Sequence, residues 1–272
     1  MNRAVVVGVD PSEPNRAAVD WAADEASRRR ADLRLVHARS GAAGPVEAQQ
    51  LDREWTRVAA DHPEVTVAAE LVDGAPREAL LTAAADAALL VLGARGAGGF
   101  PRLLVGSTSL HAAAHAACPV VVVHHDAATG GDGGVVVGVE GRDEEGPVLA
   151  YAFEAARRQS LPLTVVHAWS YPLVLGPGHE VPPVYEEGHV EAEHERLLTE
   201  ALAGWRERFP DVAVTATAVR SGSAKELVSA SAGHALVVVG RRGEPSGPFG
   251  RLGSTSQAVV QYARCPVAVV PV

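Results

Sequence analysis

Leu89 to Val123 reads LLVLGARGAGGFPRLLVGSTSLHAAAHAACPVVVV. A short apolar run, a glycine-rich loop, a helix start and a second apolar run follow one another without filler. Leu236 to Val270 repeats the order. Both copies carry Gly-x2-Gly-x9-Gly-Ser: Gly93, Gly96, Gly106 and Ser107 first, then Gly240, Gly243, Gly253 and Ser254, each 147 residues further on.

Leu89–Leu92 and Leu236–Val239 are too short for helices, are partly β-branched and stop at a glycine, which predicts parallel strands buried on both faces. A glycine there lets the chain turn sharply and lets a ligand approach main-chain N–H groups. Nine residues later, Gly106-Ser107-Thr108-Ser109 precedes an alanine-rich periodic segment, and Ser or Thr is expected to cap that helix. A helix N-terminus offers unpaired N–H donors and partial positive charge, a fit for phosphate. Arg95 and Arg242 each stand two residues after the first glycine of their loop, although the loop interiors diverge. A plain connector has no need to keep both glycines, the arginine and Gly-Ser twice, so these loops are expected to bind phosphate.

Two other phosphate motifs fail on spacing. The P-loop needs a lysine after its last glycine, and the chain's one lysine is Lys225. The dinucleotide fingerprint belongs after the first strand, where the chain has Gly8-Val9-Asp10-Pro11-Ser12.

Outward from these loops, Ala4–Val9, Leu33–Ala38, Val65–Val72, Leu89–Leu92 and Val120–Val123 read as strands. Helices are predicted between them over Glu13–Arg30, Gln49–Ala60, Pro76–Asp86 and Ser107–Ala117. The β-α alternation implies a parallel sheet with right-handed crossovers and helices on both faces. Val135–Val139 and Leu163–Ala168 restart the series, and Val36-His37-Ala38 returns as Val166-His167-Ala168. Extra length falls at Tyr171–Gly188, an exposed loop before a helix His189–Arg208. Two domains are expected, 1–125 and 135–272, joined by the glycine-rich linker 126–134.

A length of 272 residues and a hydrophobic content of 47% supply a core for each. The formal charge is −9, and the longest basic run, Arg28-Arg29-Arg30, reads as a solvated helix end. No basic stripe is present for nucleic acid, so no such partner is expected. No apolar run reaches about 18 residues, and Met1 leads straight toward a strand, so no membrane span and a cytoplasmic location are expected. Cys118 and Cys265 share one repeat position and read as buried thiols. His111 and His115 are spaced for a metal on a helix, but their counterparts are Ala258 and Tyr262; a surface pair and no metal site are expected.

With both copies laid out, the chain resembles the universal stress protein family in its tandem form. The Gly-x2-Gly-x9-Gly-Ser motif, Gly8-Val9-Asp10-Pro11-Ser12, Val36-His37-Ala38, Gly74-Ala75-Pro76 and Cys118-Pro119 carry the resemblance. It implies an α/β fold of two tandem Rossmann-like domains, each a five-stranded parallel sheet of order 3-2-1-4-5. The nucleotide would lie between the first and fourth strands. The resemblance implies ATP, with or without Mg2+, as the ligand. Gly8, Val9 and Asp10 would lie by the ribose and adenine, Ala38 would contact the base, and Gly93, Arg95, Gly96, Gly106, Ser107 and Thr108 would hold the phosphates. The second set is Gly138, Val139, Glu140, Ala168, Gly240, Arg242, Gly243, Gly253, Ser254 and Thr255. Glu140 replaces the aspartate and Arg142 the serine, so unequal sites are expected.

The function implied is that of an ATP-binding stress-response regulator acting through an unidentified protein partner, without catalysis. A hydrolase of a related fold is the first alternative, although the Ser-Gly-Gly-x-Asp-Ser loop is missing after Val9. A nucleotide-free interaction module is the second. The last strands of the two units would pair, giving a pseudo-dimer within one chain, with a homodimer as a further assembly.

Overall fold

The computed structural model describes residues 3–10, 15–39, 45–96, 104–124, 131, 133–141, 145–170, 188–242 and 250–272. The first half runs β1 Val5–Gly8, α1 Arg16–Arg29, β2 Leu33–Arg39, α2 Pro45–Asp61, β3 Val67–Asp73, α3 Pro76–Ala83, β4 Leu89–Gly93, α4 Ser107–His115 and β5 Val120–Val123. The second runs β6 Val135–Val139, α5 Gly146–Gln159, β7 Leu163–Trp169, α6 His189–Arg208, β8 Val214–Arg220, α7 Ser223–Ala230, β9 Leu236–Arg241, α8 Ser254–Tyr262 and β10 Val267–Pro271. The expected linker (126–134) and the Tyr171–Gly188 loop fall largely outside the described residues.

All ten strands form one sheet of order β3-β2-β1-β4-β5-β10-β9-β6-β7-β8. Within each half the order is the expected 3-2-1-4-5, and the pairing is parallel. The halves meet where β5 and β10 pair antiparallel, with Val122 opposite Val267 and Val120 opposite Val269. An uncovered last strand would leave a row of unpaired N–H and C=O groups and invite aggregation. Here each half covers the other's edge.

The residue patterns follow from position in this sheet. Central strands are covered on both faces, so β1, β4 and β5 are apolar at nearly every position and fully buried. Outer strands β3 and β8 alternate more exposed and less exposed positions. Helices α1, α2, α5 and α6 cover one face, with Trp21, Leu51, Phe153 and Leu202 in its core. Helices α3, α4, α7 and α8 cover the other, with Leu80, Ala112, Leu227 and Val259. Each fully buried Val or Leu side chain contributes about 1.5–3 kcal/mol against exposure.

The end of α1 corrects the sequence expectation. Arg29 is not a solvated cation: it packs where α1 meets α5, its Nε 2.6 Å from Glu25 Oε1 and its guanidinium 5.7 Å from the Tyr151 ring centroid. Glu25 is 1% exposed and also receives Arg158 from α5 at 3.4 Å. A buried carboxylate demands such partners. Cys118 and Cys265 are buried and reduced, and burial pushes their thiols up to about 11 and about 12. The reactive thiolate is therefore disfavoured at both.

Candidate functional site

In each half the strand order reverses between the first and fourth strands, opening a crevice beyond their C-terminal ends, where open α/β sheets place ligands. At β1 and β4 the crevice is a cavity of about 320 Å³. Gly8, Val9, Asp10, Ala38, Gly93, Arg95, Gly96, Gly106, Ser107 and Thr108 all line it. At β6 and β9 the cavity is about 150 Å³, lined by Gly138, Val139, Glu140, Ala168, Gly240, Arg242, Gly253, Ser254 and Thr255. Gly243 and Arg142 lie outside the described residues.

The glycines have separate physical causes. A Cβ on Gly8 would come within 2.6 Å of Leu92 Cδ2, and one on Gly138 within 2.6 Å of Leu227 Cδ1, so any larger residue would oblige those leucine side chains to shift. A Cβ on Gly96 would meet Asp10 Oδ2, so a side chain there would oblige the Asp10 carboxylate to turn away from the loop. At the helix starts, Gly106 is extended (φ −70°, ψ 153°) and donates its N–H to Ala94 O at 2.7 Å. Gly253 has φ 77°, a conformation that favours glycine.

Both helices open differently from the sequence expectation. The N-cap residues are Gly106 and Gly253, neither Ser107 nor Ser254 caps with its hydroxyl, and α4 ends at His115. Ser107 and Ser254 occupy the first helical position and are exposed to the cavity. The hydroxyl that closes the turn belongs to the third helical residue. Ser109 Oγ donates to Gly93 O at 2.7 Å, and Ser256 Oγ donates to Gly240 O at 2.7 Å. These bonds tie each helix start to the end of its fourth strand, with the unpaired N–H groups of the first turn left toward the cavity.

The opposite wall rests on a residue pair that the sequence reading did not single out. Asn15, buried, accepts from the Asp10 N–H at 3.2 Å and donates through Nδ2 to Gly8 O at 3.0 Å. Its counterpart is Glu145, also buried, which accepts from the N–H of Glu140 and, at 3.1 Å, from that of Gly141. A carboxylate cannot donate, so the second half lacks the bond that Asn15 makes to the strand carbonyl. The signal was available: Asn15 and Glu145 share the 130-residue offset of the two Val-His-Ala triplets, and Ser109 and Ser256 share the 147-residue offset of the glycines.

The charges also differ. Arg242 Nη1 lies 3.1 Å from Glu140 Oε2 beside the second cavity. Glu145 adds a second carboxylate to that cavity's lining, where the first has neutral Asn15. Next to the strand ends, His37 Nδ1, in the lining of the first cavity, is 2.7 Å from Val9 O, and His167 Nδ1 is 3.1 Å from Val139 O. Among the described residues only His167 has a further ring partner, His194 Nδ1, at 2.9 Å from Nε2; the His194 ring stacks on Trp169 at 4.6 Å. His111 and His115 stack at 4.3 Å, and among the described residues no group of three or more metal-ligand side chains is assembled. Among them, too, no helix is long and apolar enough to cross a membrane.

Comparison with known proteins agrees with this geometry. The family model described as "Universal stress protein family" matches residues 1–124 and again 134–271. The chain is 34% identical to universal stress protein Rv2623 of Mycobacterium tuberculosis, over 97% of this chain and 95% of that one. It is 35% identical to universal stress protein Rv2005c of the same organism, over 97% and 96%. Among solved structures, a universal stress protein from Archaeoglobus fulgidus superposes with a TM-score of 0.67 at 17% identity, covering 98% of each chain, a likeness of fold. Two matches to one family model, each over one half of the ten-stranded sheet, make this chain a tandem member of the universal stress protein family.

Proposed function

We propose that the chain is a cytoplasmic, ATP-binding regulatory protein of the stress response that acts through contacts with a protein partner. Its two units, 1–125 and 135–272, are joined by 126–134 and each carry one nucleotide cleft. The observation behind this reading is the convergence of a glycine loop, a helix N-terminus and an arginine on one cavity in both halves. Val36, Ala38, Pro76 and Leu80 give the first cavity apolar surface that suits a purine, and Asp10, close to Gly96 of the glycine loop, offers a carboxylate to ribose hydroxyls. Backbone N–H groups, the start of α4 and Arg95 favour the phosphates, with or without Mg2+. A regulatory role is favoured over hydrolysis because, among the described residues lining the first cavity, Asp10 is the one carboxylate, with no second beside it to form an acid–base pair, and the Ser109 hydroxyl donates to Gly93 O rather than to a side-chain base.

The test is thermal unfolding with ATP. Ligand at about 100 times its dissociation constant adds about 2.7 kcal/mol, a rise of several degrees in Tm for domains of this size. Ser107→Glu and Ser254→Glu place a carboxylate at each phosphate end while suiting the first turn of a helix, so the fold is retained. ATP should stabilise the wild type and not the double variant. Equal stabilisation of both proteins would reject the assigned clefts.

A further inference from the structure

Arg241 lies between Gly240 and Arg242, two residues that line the second cavity, yet its side chain leaves that cavity and crosses into the other half. Its Nη1 donates to Ala116 O at 2.6 Å. Ala116 is the C-cap of α4, the helix whose first residues, Ser107, Thr108 and Ser109, line the first cavity. A cation on the last carbonyls of a helix is favoured by both the hydrogen bond and the helix dipole. The short 3-10 turn Gly250–Leu252, which leads directly into Gly253 and Ser254 of the second cavity, packs against the same helix. Strand end and loop exit of one cavity thus rest on the helix that forms a wall of the other.

Among the described residues the arginine link is made by one half only. The residue at Arg241's position in the first half is Ala94, whose methyl group cannot reach across the seam.

We propose that the two clefts are coupled through Arg241 and α4, so that nucleotide in either raises the affinity of the other. The inference rests on the reading that both clefts take nucleotide. A ligand on the main chain at Gly240 and Arg242 holds the end of β9, and with it the grip of Arg241 on Ala116. α4 is then fixed before the first cleft fills, and less ordering remains for the second binding event, which makes the cooperativity positive. Although a single arginine makes the contact, linkage requires the same factor in both directions.

The experiment is calorimetric titration of the full chain with ATP. Ser107→Glu and Ser254→Glu report the intrinsic affinity of each remaining cleft, and the wild type reports both together. The second binding event in the wild type should be at least about fivefold tighter than its single-cleft value, the lower end of ordinary coupling. Arg241→Met keeps the length of the side chain and removes its donors; each intrinsic affinity should stay within about twofold while the factor falls to one. Arg241→Lys, with charge and a compact donor, should keep part of it. Binding at both clefts with no factor in the wild type overturns the coupling and leaves the nucleotide reading intact. So does a factor that survives in Arg241→Met while only its Tm falls, since that is the mark of a merely structural contact. ATP binding to neither cleft removes both proposals.

Discussion

Arg242 Nη1 stands 3.1 Å from Glu140 Oε2, an ion pair that joins the end of β9 to the end of β6 across the second cavity. The arginine expected to meet phosphate is therefore already engaged, and the cavity is less than half the volume of the first, about 150 Å³ against about 320 Å³. A nucleotide entering there must compete with Glu140 for Arg242 and face Glu145. The pair is partly exposed, so breaking it costs about 0.2–1 kcal/mol; with the repulsion of phosphate by the buried Glu145 carboxylate the difference reaches about tenfold. The Ser254→Glu protein, which keeps the first cleft, should bind ATP at least about tenfold more tightly than the Ser107→Glu protein. Equal affinities would refute the inequality.

Glu145→Asn tests which side chain causes it. Asparagine is what the first half carries at this position, where it both accepts from Asp10 N–H and donates to Gly8 O. The substitution removes a buried negative charge from the lining of the second cavity and supplies the missing donor. In the Ser107→Glu background it should raise ATP affinity about tenfold. An unchanged affinity would move the cause to Glu140.

Ser109→Ala and Ser256→Ala probe the turn from strand to helix. Each removes a hydroxyl whose partner carbonyl, Gly93 O or Gly240 O, would be left without that bond in a buried turn. Urea unfolding should show a loss of about 1–3 kcal/mol for each. The sites lie in separate halves, so the double variant should lose about the sum. A loss below about 0.5 kcal/mol would mean that water satisfies the carbonyl.

His194 supplies a dependence on acid. Burial and the neighbouring His167 push its imidazole below the ordinary histidine value, and the two rings share a hydrogen bond of 2.9 Å. In the unfolded chain it takes up a proton near pH 6.5, whereas the folded state resists that proton. The unfolded state binds more protons as pH falls below about 6.5, so stability present above that pH is lost on acidification. His194→Phe keeps a ring to stack on Trp169 and cannot titrate. Its urea midpoint should change less between pH 7.5 and pH 5.5 than the wild-type midpoint; an equal change would assign the acid sensitivity elsewhere.

Much of the architecture is written locally. A run such as Val5-Val6-Val7-Gly8 carries its own evidence of a strand covered on both faces, and the two glycine loops announce themselves because a missing side chain is visible in sequence. Alternation of strand and helix then leaves few topologies, and the observed order within each half is the expected one. Most helix ends were legible to within a turn, as with Pro76–Asp86 against the observed Pro76–Ala83, while α2, expected from Gln49, begins four residues earlier at Pro45. His189–Arg208 agrees at both ends.

What the sequence by itself determined, then, is the repeat, the alternation of strands and helices and the two glycine loops, because periodicity and glycine placement act over a few residues; the strand order in each half and the set of residues at each crevice were implied by the family resemblance those motifs carry. The tertiary structure decided the rest. Arg29 looks like part of a solvated helix end until α5 brings Tyr151 against it and Arg158 against its partner Glu25. Ser107 looks like a helix cap until β4 ends beside α4 and offers its carbonyl to Ser109. Arg241 carries no mark in the sequence, and only the pairing of β5 with β10 sets Ala116 within its reach, 125 residues away along the chain. Each of these groups takes its role from a partner that only the closed seam or the packed turn supplies, and no local pattern encodes that distance.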